Sequence, residues 1–231
     1  MNWIYDPAIW TALAQIVAID LLLGGDNAVV IAMACRKLPK HLQSKAIYGG
    51  MAGAIVLRII LLFFAMQLLA LPYLKLIGAV LLLWVGIKLA AHQDDDADEI
   101  DGGTRLWSAI KTIIVADIVM SLDNVLAVAA AGNGNVWLVS IGVLISIPII
   151  VLGSRLVLAA MERFPVVIQL GGALIGWIAG GMILTDRALE PYLMPAPWQH
   201  YAASAAGAVL VVAVGWWMSR RHAALQANDA K

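Results

Sequence analysis

Apolar residues fill this chain in long runs that alternate with short polar connections. A helix needs about 20 apolar residues in succession to cross the hydrocarbon core of a bilayer. Seven stretches come close to this length, at about residues 9–34, 46–70, 73–91, 109–131, 136–160, 166–185 and 202–219. The pattern therefore predicts an all-α, polytopic membrane protein with seven transmembrane helices in one transmembrane domain over residues 1–231.

The composition strengthens this prediction. Hydrophobic residues make up 62% of the chain and charged residues 13%, whereas soluble domains carry about 25% charged residues. The formal net charge is zero, so nothing indicates a nucleic-acid partner. The single cysteine, Cys35, excludes an internal disulfide. The N-terminus has no basic region and no small-residue cleavage site, so we expect the first span to be retained.

Basic residues are concentrated in the connections that follow the odd-numbered spans. These residues are Arg36, Lys37, Lys40, Lys45, Lys88, Arg105, Lys111, Arg163, Arg220, Arg221 and Lys231. The opposite side has only Lys75 and Arg187. Because lysine and arginine in short connections favour the cytoplasm, we expect the N-terminus outside and the C-terminus inside.

Two connections are longer than the others. The first, about 92–108, is cytoplasmic and contains a run of acidic residues at 94–101. It is either a solvated linker or a carboxylate cluster that attracts cations to the cytoplasmic mouth. The second, about 186–200, contains prolines and aromatic residues and is expected to lie at the outer interface.

A polar motif interrupts the first span and recurs in the fourth. Residues 20–27 read DLLLGGDN, and residues 117–124 read DIVMSLDN. A shift of 97 residues superposes the two motifs, and it also superposes Arg58 on Arg155. Carboxylates inside a membrane span are costly and are typical of functional sites. The doubled motif is therefore the candidate site.

The repeat extends beyond the motif and defines two units of three spans, at about 9–91 and 109–185. Because three is odd, the second unit enters the membrane from the opposite side. Inverted repeats of this kind place a site near the midplane and give alternating access when one unit moves against the other. The seventh helix, about 202–219, lies outside the repeat and is assigned to packing or to a homo-oligomer contact.

A single straight helix cannot direct both aspartates of a motif at one ion. On an α-helix Asp26 points about 120° away from Asp20, and Asn27 lies roughly 10 Å from Asp20 along the axis. In the first copy, Gly24 and Gly25 can break the helix and free backbone carbonyls. The second copy has Ser121 and Leu122 there, so we expect the firmer break in the first.

Antiparallel pairing of the two motifs offers a second solution. It brings Asp20 level with Asp123 and Asn124, and it brings Asp26 and Asn27 level with Asp117. We therefore expect Asp20 to lie nearer to Asp123 than to Asp117.

The candidate metal ligands are oxygen donors. They are Asp20, Asp26, Asn27, Asp117, Asp123 and Asn124, with Ser121 as an additional ligand. Carboxylate and carboxamide oxygens suit Mg²⁺, Ca²⁺ and Mn²⁺. Without an ion some carboxyls should carry protons, which makes exchange with protons chemically reasonable. The alternative is that these side chains only hydrogen-bond the helices together.

Arg58 and Arg155 lie within spans at matching positions of the repeat. Either they extend to the membrane interface, or they act as countercharges or gates beside the acidic site. The sequence does not decide between these two interpretations.

The segments DLLLGGDNAVVIAMA and ADIVMSLDNVLAVAAA resemble the two signature segments of the TerC family of integral membrane proteins. The chain is similar to the short YjbE- or YkoY-like branch, within the lysine-exporter-like superfamily, from Trp10 to about Met218. The resemblance implies a seven-span inner-membrane protein that exports Mn²⁺. It also implies that the metal residues are the six motif residues, all of which this chain keeps.

Two functions follow as hypotheses. The first is a secondary transporter that exports divalent metal ions, Mn²⁺ or else Ca²⁺, with protons as the exchanged ion. The second is a membrane scaffold or sensor that uses the motifs for packing or for binding a protein partner. The chain has no phosphate-binding Gly-x4-Gly-Lys-Ser/Thr motif, and its GGD sequence occurs once, which does not fit an intramembrane aspartyl protease. We expect no enzymatic activity and no prosthetic group.

Overall fold

The computed structural model describes residues 7–69, 71–91, 102–132, 135–189 and 196–229. These residues form eight α-helices. In chain order the helices are α1 (Pro7–Leu23), α2 (Gly25–Cys35), α3 (Lys40–Leu69), α4 (Leu74–Ala90), α5 (Gly102–Ala131), α6 (Val136–Arg163), α7 (Val166–Leu184) and α8 (Pro197–Asp229).

Each of the seven predicted segments is helical, but several boundaries differ from the prediction. The helix α5 begins at Gly102, so residues 102–108 of the predicted cytoplasmic loop are helical. The helix α8 runs over Pro197–Asp229 and is longer at both ends than the predicted 202–219. These helices are longer because the apolar pattern marks only the part of a helix that lies in the hydrocarbon core. A helix can continue beyond that core into water. Residues 92–101, with the acidic run, lie outside the described residues.

The described helices make this a membrane protein with four to five candidate spans. Four helices, α3, α6, α7 and α8, are long and apolar enough to cross a bilayer, and the bent pair α1–α2 is a fifth if it is one span. The helix α4 has 17 residues, and α5 contains several charged residues. Large apolar side chains point outward, with Leu156 72% and Val209 67% exposed. A bilayer would cover such a surface.

The packing places the two motifs at the centre of the molecule. The helix α3 packs along α5, α6 packs along α1 and α2, and α4 packs along α7. A cluster of buried side chains that includes Met33, Leu82 and Ala179 joins α2, α4 and α7. A second cluster, with Ile16, Leu62 and Val139, joins α1, α3 and α6. The polar residues of α1, α2 and α5 therefore lie between apolar layers.

The helix α8 is held by close backbone contact with α7. A Cβ atom on Gly176 would collide with the carbonyl oxygen of Gly207, and a Cβ atom on Gly207 would collide with that of Gly176. Glycine at both positions is what permits this approach, which is typical of packed membrane helices.

Charged side chains from other elements hold both ends of α4. At its N-terminus, the buried carboxylate of Asp186 accepts hydrogen bonds from the backbone N–H groups of Tyr73 and Leu76, each at 2.9 Å. At its C-terminus, Arg36 donates to the carbonyl oxygens of Leu89 at 3.0 Å and Ala91 at 3.4 Å. An anion at the start of a helix and a cation at its end both match the helix dipole.

Candidate functional site

The first motif breaks its helix at Gly24. The helix α1 ends at Leu23, α2 begins at Gly25, and the two axes meet at a bend of 48°. A Cβ atom on Gly24 would lie only 2.6 Å from the carbonyl oxygen of Asp20, so a larger residue would disturb this turn. The predicted break in the first copy is confirmed. The second copy lies within the continuous helix α5, as the firmer break in the first copy implied.

A buried arginine joins the first aspartates of the two motifs. Arg58, on α3, donates from Nη1 to Oδ1 of Asp20 and from Nη2 to Oδ1 of Asp117, both at 2.7 Å. All three residues are buried. Asp20 and Asp117 are 97 positions apart in the sequence, and one guanidinium group forms an ion pair with each of them.

Two serines complete the hydrogen bonds of this ionic network. Ser121 accepts from Nε of Arg58 at 3.1 Å and donates to Oδ2 of Asp117 at 3.2 Å. Ser146, on α6, donates from Oγ to Oδ2 of Asp20. Ser121 was predicted as an additional ligand, and here it positions both Arg58 and Asp117. Ser146 was not predicted, although a hydroxyl group within an apolar span is the kind of signal that could have indicated it.

Asn27 lies beside this network, and within the part of the chain that the structure describes the oxygen of its side-chain amide is an unpaired hydrogen-bond acceptor. Its Nδ2 donates to Oδ1 of Asp117 at 3.1 Å, whereas its buried Oδ1 accepts no hydrogen bond from the described residues. A cavity of about 10 Å³ is lined by Asn27, Arg58 and Asp117 together with apolar side chains. That volume holds about one water-sized particle. An acceptor without a donor, next to such a cavity, is suited to a water molecule or a cation.

Two further motif residues, Asp26 and Asn124, form hydrogen bonds on either side of the helix break. Asp26 is half-buried in the first turn of α2, and its Oδ1 accepts from the backbone N–H of Asn27 at 2.9 Å. Asn124, on α5, donates from Nδ2 to the carbonyl oxygen of Leu23 at 3.1 Å. Leu23 is the last residue of α1, so Asn124 satisfies a carbonyl group at the break.

Antiparallel pairing of the motifs predicts which of their polar side chains lie close together. The side chain of Asp123 lies outside the described part of the structure, so its separation from Asp20 stays a prediction. Asn27 contacts Asp117, as antiparallel pairing of the motifs implied. Asp20 and Asp117, however, also share one guanidinium group, which the pairing scheme did not anticipate.

Arg155, the counterpart of Arg58 in the repeat, lies elsewhere. It is exposed on α6, where its Nη2 donates to the hydroxyl of Tyr48 at 3.1 Å and its guanidinium lies 5.5 Å from the centre of that ring. The countercharge interpretation therefore fits Arg58, whereas Arg155 lies against Tyr48 and away from the acidic site.

The cation that the structure places at this site is an arginine side chain. Among the side chains that the structure describes, no three from aspartate, glutamate, histidine and cysteine converge in a way that would hold a metal ion. The carboxylates of Asp20 and Asp117 bind Arg58 instead. For these oxygens to bind another cation, Arg58 would have to move away.

The chain is similar in sequence to known membrane proteins. Residues 5–223 match the sequence profile of the integral membrane protein TerC family. The chain is 44% identical to an uncharacterized membrane protein, YjbE, of Bacillus subtilis over 182 residues, which cover 79% of this chain and 83% of the relative. It is 28% identical to the UPF0053 inner membrane protein YgdQ of Escherichia coli over 181 residues, or 71% of this chain and 76% of the relative. No solved structure matches.

Proposed function

Because the chain belongs to the TerC family of integral membrane proteins, we propose that it is a secondary transporter that exports divalent metal ions, with Mn²⁺ as the main substrate. Ca²⁺ is the alternative substrate, since it prefers the same oxygen ligands. We infer that the membrane is the bacterial inner membrane, in keeping with the name of the inner membrane protein YgdQ of Escherichia coli.

One observation carries this proposal, namely the buried network of Asp20, Arg58 and Asp117 beside the cavity and the unpaired Oδ1 of Asn27. A packing contact alone would be expected to satisfy its acceptors, because an unpaired buried polar group costs about 1–3 kcal/mol. The cavity beside this acceptor offers a cation a place to bind to the Oδ1 of Asn27.

In the proposed mechanism Arg58 is a tethered cation that holds the site while no metal ion is bound. An entering ion exchanges its water ligands for the oxygens of Asp20, Asp26, Asn27, Asp117, Asp123 and Asn124, while Arg58 withdraws. When the ion leaves, Arg58 returns and balances one carboxylate charge. Protons balance the remaining negative charge, which couples export of the metal to proton entry.

Alternating access would follow from a seven-span architecture with two inverted repeats and an additional seventh helix. The pairing of α3 with α5 and of α6 with α1 and α2 supports this arrangement, because each is the counterpart of the other under the repeat. The N-terminus would lie outside and the C-terminus in the cytoplasm, as the distribution of lysine and arginine indicates.

Transport by the purified protein tests the proposal. The full chain is reconstituted in liposomes that contain a Mn²⁺-sensitive dye, and influx is compared for the wild type, Asp117→Asn and Asp26→Asn. Removing a ligand should slow influx by at least about tenfold. The control is Glu162→Gln, which removes one carboxylate from the exposed surface of α6 and should leave the rate unchanged.

A scaffold or sensor is the second candidate, and two contacts favour it. Arg58 already pairs with both aspartates, and Asn124 already satisfies Leu23, so these side chains join helices without any ion. If the wild type moves no Mn²⁺ in liposomes, and Asp26→Asn cells keep normal manganese tolerance, the transporter proposal is wrong and the scaffold remains.

A further inference from the structure

A groove runs along the membrane-facing surface between α7 and α8. Its lining residues do not belong to either acidic motif. Its volume is about 510 Å³. Small and apolar side chains line most of it, with an amide and an indole as well: Gln169, Ala173, Ala208, Val212, Ala213 and Trp216. Because the groove is open, apolar and on a lipid-facing surface, its occupant must be largely apolar.

The length of the groove matches one leaflet of a bilayer. The helices are antiparallel, since Gly180 approaches Ala203 and Gly172 approaches Val211, so Gln169 and Trp216 lie at the same end. From Ala208 to Trp216 the helix α8 rises about 12 Å, and half of the hydrocarbon core is about 15 Å thick. An acyl chain that enters at the Trp216 end would therefore lie within the groove.

A positive charge lies at that same end. The guanidinium carbon of Arg220 is 3.8 Å from the centre of the Trp216 ring, which is a lining residue of the groove. Arg220 also lies next to Arg221, the end of the apolar segment of α8 at Trp198–Arg221. A lipid headgroup is found at this depth, where the hydrocarbon ends, and its phosphate would meet the guanidinium group.

We propose that the groove between α7 and α8 binds one anionic phospholipid, with an acyl chain along Ala173, Ala208 and Val212 and the phosphate on Arg220. The amide of Gln169, which lines the groove at the same end as Trp216, would donate to an ester carbonyl of the lipid. This site does not depend on the transport of metal ions and would exist in a scaffold as well.

A second copy of the chain fits the groove less well than a lipid does. Two copies in one membrane would meet across a two-fold axis, with the same surface on both sides. Groove would then face groove and leave an unfilled space, and Arg220 would face Arg220 of the other copy with like charge. A lipid fills the space and balances the charge.

Native mass spectrometry of the full chain in detergent tests the site, with dioleoyl phosphatidylglycerol and dioleoyl phosphatidylethanolamine as probes. We expect one phosphatidylglycerol to be retained in preference to phosphatidylethanolamine. Arg220→Gln should lower this retention about fivefold, the effect of one arginine near an anionic surface. Arg221→Gln is the matched control, because that side chain lies over Trp217, which does not line the groove, and it should change retention by less than about twofold.

A variant that fills the groove gives an independent result. Ala213 is exposed, so Ala213→Phe should fold normally and should lose the retained lipid. In nanodiscs, phosphatidylglycerol with brominated acyl chains should quench fluorescence from Trp216, measured as the difference from Trp216→Phe. Equal retention of the two lipids, equal effects of Arg220→Gln and Arg221→Gln, or a cross-link between two copies through Ala208→Cys would overturn the proposal.

Discussion

Arg58 is the residue on which the central contacts of this protein converge. Its three nitrogens contact Asp20, Asp117 and Ser121, which belong to α1 and α5. Burying charges is costly, and an ion pair of this kind repays the cost only when its remaining polar atoms are also satisfied. The two serines supply those contacts, so the network holds α1, α3, α5 and α6 in one arrangement.

Replacing Arg58 with glutamine should destabilise the protein far more than the same change at Arg155. In Arg58→Gln the two buried carboxylates lose their cation, which costs about 3–5 kcal/mol. Arg155 is exposed, and its replacement should stay within about 0.5 kcal/mol. Thermal unfolding in detergent, followed by size-exclusion chromatography, measures both. Equal losses would mean that the ion pairs of Arg58 contribute little.

The sequence identified most of the residues at this site but could not distinguish the two arginines. Charged and amide side chains inside apolar spans are costly, so Asp20, Asn27 and Asp117 stood out from their surroundings. Arg58 and Arg155 occupy equivalent positions of the repeat, and each lies within a predicted apolar span. Their different environments arise from packing, because α3 presents Arg58 to α1 and α5 whereas α6 leaves Arg155 exposed beside Tyr48.

Among the helices, the break between α1 and α2 shapes the site directly. Gly24 accommodates the turn that separates Asp20 from Asp26, and the carbonyl group of Leu23 is satisfied across the break by Asn124. The break was predictable because two glycines between two acids are an identifiable signal in sequence. The partner of the freed carbonyl group depends on the position of α5 and was not predictable.

Alanine at the two glycines should have opposite effects. In Gly24→Ala the new Cβ meets the carbonyl oxygen of Asp20 at 2.6 Å, and such overpacking costs about 1–3 kcal/mol. A Cβ on Gly25 meets nothing within 4 Å, so Gly25→Ala should be neutral or stabilise by up to about 1 kcal/mol. Melting temperatures of the two variants provide the test. A stable Gly24→Ala would show that the turn adjusts freely.

The contact between Asp186 and α4 should make stability depend on pH. Burial alone would raise the pKa of Asp186, but hydrogen bonds from the backbone N–H groups of Ala188, Leu76 and Tyr73 outweigh it and hold the pKa below its ordinary value. A lowered pKa in the folded state contributes stability above the unfolded value, about 3.9, and this contribution is lost as the pH falls through the folded value.

Asp186→Asn should therefore lower the melting temperature at pH 7, and the difference from the wild type should shrink as the pH falls below about 4. The loss at pH 7 should be about 1–3 kcal/mol, since a backbone N–H group loses a charged acceptor. Melting temperatures of both proteins from pH 7 to pH 3 measure it. A difference that is constant over this range would exclude the carboxylate as its origin.

For the whole molecule, close backbone contact with α7 contributes to the position of α8. It packs mainly on α7 and α4, and Gly176 and Gly207 form one of its close backbone contacts with α7. The overall helical architecture was predictable from the apolar runs. The lengths of α5 and α8 were not, because polar residues that extend a helix beyond the membrane look the same in sequence as residues of a loop.

Valine at Gly207 should loosen this contact, whereas valine at its neighbour should not. The side chain in Gly207→Val would collide with the backbone of Gly176 and force α8 away from α7, at a cost of about 1–3 kcal/mol. Ala206 is exposed on the same helix, so Ala206→Val should melt within about 0.5 kcal/mol of the wild type. Unfolding in detergent distinguishes them, and equal stability would show that α8 is not held at these glycines.

The contacts at the two ends of α4 form at different times during synthesis. Arg36 has already been made when α4 emerges from the ribosome, but Asp186 follows Leu76 by 110 residues. Until Asp186 has been synthesised, the first backbone N–H groups of α4 cannot donate hydrogen bonds to its carboxylate. Unpaired N–H groups are costly to place in lipid. The contact at the C-terminal end of α4 can therefore form before the contact at its N-terminal end, which requires Asp186 to have been synthesised.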